Sequence, residues 1–95
     1  MRRNMKQTNV VVTDISPLIT NKIKRIKYRL VKFEDLDDPS STYTLCIMNG
    51  HKIASRFERL PIGTKLAKVV VYTKKGQNYV DGNSNFHVMQ AKPLF

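Results

Sequence analysis

The amino-acid sequence predicts a mainly β protein that folds as a small barrel of five or six short strands with little or no helix. The chain has 95 residues, which is the length of one domain. Runs of β-branched and aromatic residues recur between Gly, Pro and Asn turns, and no segment keeps a helical periodicity over about ten residues. Short strands at this spacing are typical of a closed or partly closed barrel.

The strands are assigned from β-branched and aromatic runs that turn residues interrupt. The predicted strands are residues 8–16, 23–33, 43–48, 51–57, 66–73, 78–81 and 86–90. An acidic loop is predicted over residues 34–41, where Glu, Asp, Pro and Ser predominate. The predicted organisation is a flexible basic arm (1–7), one barrel domain (8–92) and a loose tail (93–95).

The clearest local signal is Asn49-Gly50, which lies between two β-prone runs. Such a pair predicts a two-residue hairpin turn, because both turn residues need a positive φ. The resulting register places Tyr43 opposite Arg56, with Lys52 on the same solvent-facing side. The other side of this hairpin, predicted to face the core, carries Cys46, Met48, Ile53 and, as a further candidate, Phe57.

The charge balance indicates the class of partner. There are 17 Lys and Arg against seven Asp and Glu, so the net charge is +10. Four of the seven acids lie together at Glu34, Asp35, Asp37 and Asp38, which leaves the remainder of the chain even more basic. Positive charge of this size favours encounter with polyanions. The acidic cluster lacks the ligand spacing of a Ca²⁺ loop, so it is interpreted as a loop that repels DNA or contacts a basic partner.

Several function classes are disfavoured by the remaining composition. A single Cys excludes an intrachain disulfide and a Cys-rich zinc site, and the two His show no metal-ligand spacing. We therefore predict no cofactor, no metal and no enzymatic activity. The basic N-terminal residues are followed by no apolar segment, and the longest aliphatic runs have three residues. The prediction is a soluble, cytoplasmic protein (host cytoplasm if the protein is viral).

The basic charge is concentrated in residues 22–32, where six of eleven residues are Lys or Arg. In a strand, Arg25, Lys27 and Arg29 share one face, and they are predicted to face solvent, where they could follow a phosphate backbone. The alternating residues on the other face, predicted to be core, are Ile26, Tyr28 and Leu30. Phe33 has the parity of the cationic face and is predicted to be an exposed stacking platform. The alternative is a bulge that returns Phe33 to the core.

A family resemblance rests on the arrangement of the predicted elements (a long second strand, a hairpin and a connector into the next strand) and on one short motif. Residues 60–66 read Leu-Pro-Ile-Gly-Thr-Lys-Leu and precede three consecutive Val residues. This resembles the Leu-x-x-Gly-x-x-Leu segment at the start of the fourth strand of many OB-fold domains. By pattern the resemblance extends over residues 8–92, and the size and basicity are similar to compact single-stranded DNA-binding proteins of phages and plasmids, including the gene V type. An SH3-like barrel has a comparable string of elements. The usual OB-fold helix would be one turn or absent, because only residues 55–62 are available for it.

The resemblance implies that the protein binds single-stranded DNA without sequence preference, by pairing phosphates with cations and stacking bases on aromatic rings. It further implies a role in phage or mobile-element DNA replication, as a homodimer or by cooperative self-association. Around the later turn, Lys74 and Lys75 could close over a strand, with Lys68, Tyr72 and Tyr79 nearby. The predicted nucleic-acid-binding residues are Lys24, Arg25, Lys27, Arg29, Phe33, Tyr43, Lys52, Arg56, Lys68, Tyr72, Lys74, Lys75 and Tyr79. The alternatives are a small RNA-binding barrel and a basic protein-interaction or inhibitor module.

Overall fold

The computed structural model describes residues 5–89, which form a five-stranded barrel with two additional short strands. The strands are β1 (Met5–Ile15), β2 (Ile19–Asn21), β3 (Ile26–Asp35), β4 (Thr42–Met48), β5 (Lys65–Lys74), β6 (Gln77–Val80) and β7 (His87–Val88). One 3₁₀ helix, Ala54–Arg59, lies between β4 and β5.

The barrel closes through the strand order β1-β3-β4-β6-β5, with β5 pairing back onto β1. All of these pairings are antiparallel except that of β4 with β6, which is parallel. The strand β2 pairs with β3, and β7 pairs with β5, so both lie outside the ring. The mainly β fold and its small OB-like barrel are confirmed. The single 3₁₀ helix occupies the connection between the third and fourth barrel strands, where the sequence left room for one turn.

The core is built from the inward-facing residues of all five barrel strands. Its largest fully buried side chains are Phe33, Phe57, Ile47 and Leu66, together with six valines. Phe57 projects from the 3₁₀ helix and meets Phe33 edge to face, with the ring centroids 5.9 Å apart. Aromatic pairs in this geometry stabilise a core beyond the apolar area that they bury. The helix thus closes one end of the barrel with an aromatic side chain.

The predicted N-terminal arm is partly strand. Met5, Lys6 and Gln7 belong to β1, where they pair with Tyr72, Val71 and Val70 of β5. The arm prediction is therefore wrong for these three residues, because pairing with β5 is what closes the ring. Residues 1–4, and the predicted tail at 93–95, lie outside the described residues.

The long basic segment is a hairpin rather than one strand. The sequence predicts a strand from residue 23, but β3 begins at Ile26, and the short strand β2 precedes it. The side chain of Asn21 accepts hydrogen bonds from the backbone N–H groups of Ile23 and Lys24, both at 3.1 Å. These bonds offer the backbone a turn in place of a strand. Arg25 then adopts a left-handed conformation (φ 55°) that reverses the chain into β3.

The predicted Asn49-Gly50 hairpin does not form, although Gly50 has the positive φ of 88° that such a turn uses. Residues 51–57, predicted to be its second strand, include a turn and most of the 3₁₀ helix. His51 Nδ1 accepts a hydrogen bond from the backbone N–H of Ala54 at 3.0 Å, which favours the turn. The edge of β4 that the predicted strand would have used is occupied by β6 instead.

This change reverses the two faces of β4. Tyr43, Leu45 and Ile47 are buried, whereas the predicted core residues Cys46 and Met48 face outward. Ile53, also predicted to be core, is half exposed, and only Phe57 of that predicted set is buried. The hairpin register was wrong, so every assignment derived from it shifted to the other face.

The faces of β3 are reversed as well. Val31, Phe33 and Asp35 are buried, and Phe33 is fully so. The predicted exposure of Phe33 is therefore wrong. No bulge interrupts the pairing of β3 with β4 from Tyr28 to Glu34, so the alternation is continuous and Tyr28 and Leu30 face outward. Lys27 and Arg29 have the same parity as the buried core residue Phe33. Lys27 is nevertheless exposed, because the first residues of β3 lie beyond the pairing with β4.

The Gly63 motif lies where the resemblance places it, immediately before the fourth barrel strand. Gly63 has a φ of 94°, a region that favours glycine. Its backbone N–H donates to the carbonyl of Val12 at 2.7 Å, and Val12 N–H donates to the Thr64 carbonyl at 2.9 Å. The turn thereby attaches to β1 and aligns β5 for barrel closure.

Candidate nucleic-acid interface

A row of side chains crosses the outside of four adjacent barrel strands. Lys32 of β3 lies opposite Thr44 of β4, which pairs with Tyr79 of β6, which in turn lies opposite Tyr72 of β5. Residues directly opposed in neighbouring strands point to the same face of a sheet. We call these four residues the outer row. The neighbouring residues of the same strands point inward and form the core, so packed strands support the outer row.

The two tyrosines of the outer row stack on each other. The ring centroids of Tyr72 and Tyr79 are 5.5 Å apart, and the ring planes differ by 28°. Both side chains are half-buried. The Tyr79 hydroxyl donates to the Gln77 side-chain oxygen at 2.9 Å, which restricts the rotation of that ring. Two adjacent, oriented aromatic rings on a barrel surface form a platform on which a planar ligand can stack.

Lysines lie beside the tyrosine pair at the turn between β5 and β6. Lys74 lies two residues after Tyr72 on the same face of β5, opposite Gln77. The two turn residues, Lys75 and Gly76, both have positive φ, at 51° and 76°. This conformation is the one that tight hairpins require. The turn thus holds two lysines next to the aromatic platform.

An open groove of about 480 Å³ runs along this surface. Its lining includes Thr44 and both tyrosines, with Cys46 from β4 and His51 from the turn after it. Lys74 and Lys75 also line it. The predicted site residues Tyr72, Tyr79, Lys74 and Lys75 are therefore brought together.

The second basic segment is the β2–β3 turn, residues 22–25, which we call the basic tip. Lys22, Lys24 and Arg25 are exposed there, as is Lys27 at the start of β3. The tip precedes Ile26 and Lys27 of β3, which pair with β2 and lie beyond the last β4 pairing at Tyr28. The Asn49 N–H just after β4 donates to the Lys27 carbonyl at 2.8 Å. The predicted residues Lys24, Arg25 and Lys27 thus lie on a projection at one end of the barrel.

Arg29 does not belong to this cationic projection. Its guanidinium lies 3.8 Å from the Glu58 carboxylate of the 3₁₀ helix and donates to the Ser16 carbonyl at 3.3 Å. Arg29 lies opposite Ile47, a core residue, so it is on the inward face near the barrel end. It connects β3 to the 3₁₀ helix, so its guanidinium is engaged by the protein, while the side chain remains 36% exposed.

Arg56 is likewise occupied by the protein itself. Its guanidinium donates to the carbonyls of Ile53 (2.9 Å) and Ser84 (3.1 Å) and lies 5.2 Å from the centre of the Phe86 ring. The predicted pairing of Arg56 with Tyr43 across a hairpin is wrong, because Arg56 is in the 3₁₀ helix.

Lys52 and Lys68 lie off the outer row. Lys52 is exposed in the turn that precedes the helix. Lys68 occupies an irregularity in the β1–β5 pairing, with a φ of 61°, and its backbone N–H donates to the Asn9 side chain at 3.2 Å. This irregularity breaks the alternation that linked Lys68 to Tyr72 in the sequence prediction.

Tyr43 is a buried structural residue, so its predicted role as a stacking platform is wrong. It is 4% exposed, and its hydroxyl donates to an oxygen of the Asp35 carboxylate at 2.9 Å. Burial, followed by this hydrogen bond and the negative charge, raises the pKa of Tyr43 to about 12. A phenol held in this way cannot present its ring to a base.

Asp35 organises the acidic loop from inside the barrel end. Burial alone would raise the pKa of Asp35, but hydrogen bonds from Thr8, Tyr43 and two backbone N–H groups together lower it. Those N–H groups belong to Asp37 and Asp38 and lie 2.9 and 3.2 Å from one Asp35 oxygen. The carboxylate therefore fixes the loop, and within residues 5–89 no group of three or more His, Cys, Asp or Glu side chains could hold a metal ion.

Sequence reasoning missed Tyr28, Lys32 and Thr44 as outward-facing residues. Strand β4 carries a signal that could have found them, because it alternates Thr, Thr and Cys with Tyr, Leu and Ile. An alternation of this kind places the large apolar residues in the core and Thr44 outside. Pairing with β3 then puts Lys32 and Tyr28 outside too.

Comparison with known proteins adds no assignment: no family model matches the chain, and no curated protein or solved structure is significantly similar to it. Among residues 5–89, no helix has the length and apolar character needed to cross a membrane. The function is therefore argued from the outer row, the lysine turn and the basic tip.

Proposed function

We propose that this protein binds single-stranded DNA without sequence preference across the outer row and the groove that Thr44, Tyr72 and Tyr79 of that row line. The observation that carries the proposal is the stacked pair Tyr72 and Tyr79 beside Lys74 and Lys75. Any base can stack on an aromatic ring, and a lysine can pair with any phosphate. The combination therefore favours binding that does not depend on sequence.

The position of the surface on the barrel supports the same proposal. OB-fold domains bind oligonucleotides on the outside of their second and third strands, between the loops that follow the first and fourth strands. In this chain those strands are β3 and β4, and the two loops are the basic tip and the turn at Lys75-Gly76. Both loops are cationic, and Lys32 lies between them on the sheet. A phosphate backbone could therefore run across the barrel strands, with the basic tip at one end of its path and the lysine turn at the other.

A single strand fits this surface better than a duplex. A base can stack on a tyrosine ring only when its own face is not covered by a neighbouring base, as it is in a duplex. A duplex would contact the lysines alone. Because one barrel of this size contacts only a few nucleotides, the proposal includes self-association along the strand, which would cover strands exposed during DNA replication.

The proposal is tested by titrating the protein against fluorescently labelled oligo-dT, oligo-U and duplex DNA at several salt concentrations. We expect tight binding to oligo-dT that weakens steeply as salt rises, and weaker binding to the duplex. Equal affinity for oligo-dT and duplex would contradict the stacking mechanism. A clear preference for oligo-U would reassign the surface to RNA, and no binding at low salt would exclude both nucleic acids.

A further inference from the structure

An isolated apolar side chain projects from the basic tip. Ile23 is 95% exposed, more than any other large hydrophobic residue described, and it lies between Lys22 and Lys24. Isolated exposed hydrophobic residues are common on protein surfaces and need no explanation by themselves. Ile23 differs in its setting, because it lies at the turn of a cationic hairpin whose backbone is held by hydrogen bonds.

The backbone at Ile23 is held by the turn. Asn21 accepts hydrogen bonds from the N–H groups of Ile23 and Lys24, and β2 pairs with β3 at three successive positions below the turn. The left-handed Arg25 completes the reversal. The backbone that carries the side chain is therefore braced, so little backbone freedom is left to lose when Ile23 inserts into a partner.

The charge around the tip identifies the chemistry of that partner. No Asp or Glu occurs between Asp14 and Glu34, whereas this stretch contains six Lys and Arg. An apolar apex surrounded by cations matches a surface whose apolar faces are bordered by negative charges. Stacked bases bordered by phosphates have this arrangement, and Ile and Leu wedges enter base steps in several DNA-binding proteins.

We propose that Ile23 is a wedge that packs against the terminal base pair where duplex DNA opens into a single strand, while the basic tip binds the flanking phosphates. This inference rests on the proposed function, because the single strand that leaves the junction would lie across the outer row. The tip projects past the end of β4, so a duplex end can meet Ile23 without displacing the barrel.

The same features would also suit an anionic lipid surface, but one side chain supplies little insertion. Even a full myristoyl chain gives only marginal, reversible membrane binding, and the Ile23 side chain is far smaller. DNA bases are the better match, because a single apolar side chain is enough to insert at one base step.

The test compares three labelled probes: single-stranded oligo-dT, a blunt duplex, and a duplex with an oligo-dT overhang. We expect the wild-type protein to bind the overhang duplex roughly 10- to 150-fold more tightly than oligo-dT, the gain expected from fully burying one Ile side chain. Ile23→Ala shortens the apolar side chain and keeps every charge of the tip, so it should remove this preference and leave the melting temperature unchanged. The matched control Ile62→Ala, at another exposed isoleucine (62% exposed), should keep the preference.

A second readout reports the wedge directly. With 2-aminopurine in the terminal base pair, binding of the wild-type protein should raise the fluorescence as the base unstacks, and Ile23→Ala should not. If Ile23→Ala retains both the preference and the signal, or the wild-type protein lacks them, the wedge is wrong while oligo-dT binding keeps the proposed function. Failure to bind any probe overturns both. Ile23-dependent binding to phosphatidylserine vesicles, without junction preference, would assign the tip to a membrane instead.

Discussion

Tyrosines in this barrel have different environments that depend on the face from which they project. Tyr43 points inward, and its hydroxyl is committed to the Asp35 carboxylate. Tyr72 and Tyr79 point outward and stack on each other. The ring and the hydroxyl are the same in all three, so the sequence offers no chemical difference between them. Only the parity of the strand decides which ring can meet a ligand.

Truncation of one stacked tyrosine should weaken binding of DNA strongly, while loss of the aromatic pair costs the fold about 0.5–1.5 kcal/mol. We expect Tyr79→Ala to raise the Kd for oligo-dT by roughly 5- to 150-fold, which corresponds to about 1–3 kcal/mol for one stacked base. Tyr79→Phe keeps the ring and should keep most of the affinity. Fluorescence anisotropy gives the Kd, and circular dichroism gives the melting temperature. Equal losses in the two variants would mean that the hydroxyl, and not stacking, is responsible.

Loss of the Tyr43 hydroxyl should change stability and its pH dependence. Tyr43→Phe leaves Asp35 with one hydrogen bond fewer, so we expect the free energy of unfolding near neutral pH to fall by about 1–3 kcal/mol. The folded-state pKa of about 12 lies above the unfolded value near 10, so the stability due to Tyr43 is present below about pH 10 and lost as the pH rises through about 12.

Chemical denaturation from pH 7 to pH 12 checks both parts of this prediction. The variant should lose less stability than the wild-type protein between pH 10 and pH 12. Tyr28→Phe, at an outward-facing tyrosine, should retain the wild-type alkaline decrease. A Tyr43→Phe protein with the wild-type stability at pH 7 would show that the bond to Asp35 contributes nothing. At the acidic end, the lowered pKa of Asp35 predicts stability that is present above about pH 4 and lost below it.

At the scale of elements, strand β3 combines two structures in one sequence run. From Val31 to Asp35 it is a barrel strand with a buried face, whereas Ile26 and Lys27 form the stem of the β2–β3 hairpin. Arg29 lies at the transition and is held by Glu58. Where β3 extends beyond the barrel, its inward face has no core to pack against. Residues of the same parity, such as Phe33 and Lys27, are therefore buried in one half of the strand and exposed in the other.

The turn between β5 and β6 should supply a measurable part of the electrostatic binding. Lys74→Gln should reduce the slope of log Kd against log salt by about 0.7, the value for one phosphate contact on a single strand. Lys65→Gln is the matched control, since Lys65 begins the same strand β5 at the opposite end. Its slope should equal that of the wild-type protein. An equal decrease in both variants would indicate general charge attraction without a defined path.

For the whole molecule, barrel closure controls which surfaces exist. Strand β1 pairs with β5, and β4 pairs with β6, so strand edges that would be free in an open sheet are hydrogen-bonded. The outer row exists because four strands from distant parts of the chain become neighbours, and Thr44 meets Tyr79 across 35 residues. No local pattern encodes that pairing.

The aromatic closure at the barrel end should dominate the stability of the whole molecule. Phe57 is fully buried between Phe33 and Phe86, so we expect Phe57→Ala to cost about 3–5 kcal/mol. Small domains have total stabilities of about 5–15 kcal/mol, so the loss should appear as a large decrease in the melting temperature. The exposed neighbour Arg59→Ala is the control and should have little effect. A cost below about 1 kcal/mol would mean that the helix is not part of the core.

Much of the fold was predictable because it depends on local chemistry. The β-branched runs predict β1, β4 and β5, and the Gly63 motif marks the start of β5 correctly. The hairpin after Asn49-Gly50 was predicted wrongly, since the turn residues alone do not say whether a free strand edge follows. Of the predicted site, Tyr72, Tyr79 and the lysines beside them are on one surface, whereas Phe33 and Tyr43 are buried.

The sequence by itself determined the size, the mainly β class and the strong positive charge, because these follow from composition and short-range propensity. It also located the basic segment and the strand that follows Gly63. Only the tertiary structure decided which face of β3 and β4 meets water. The physical reason is that a strand has two nearly equivalent faces, and the choice between them depends on long-range pairing that buries one face of every barrel strand together.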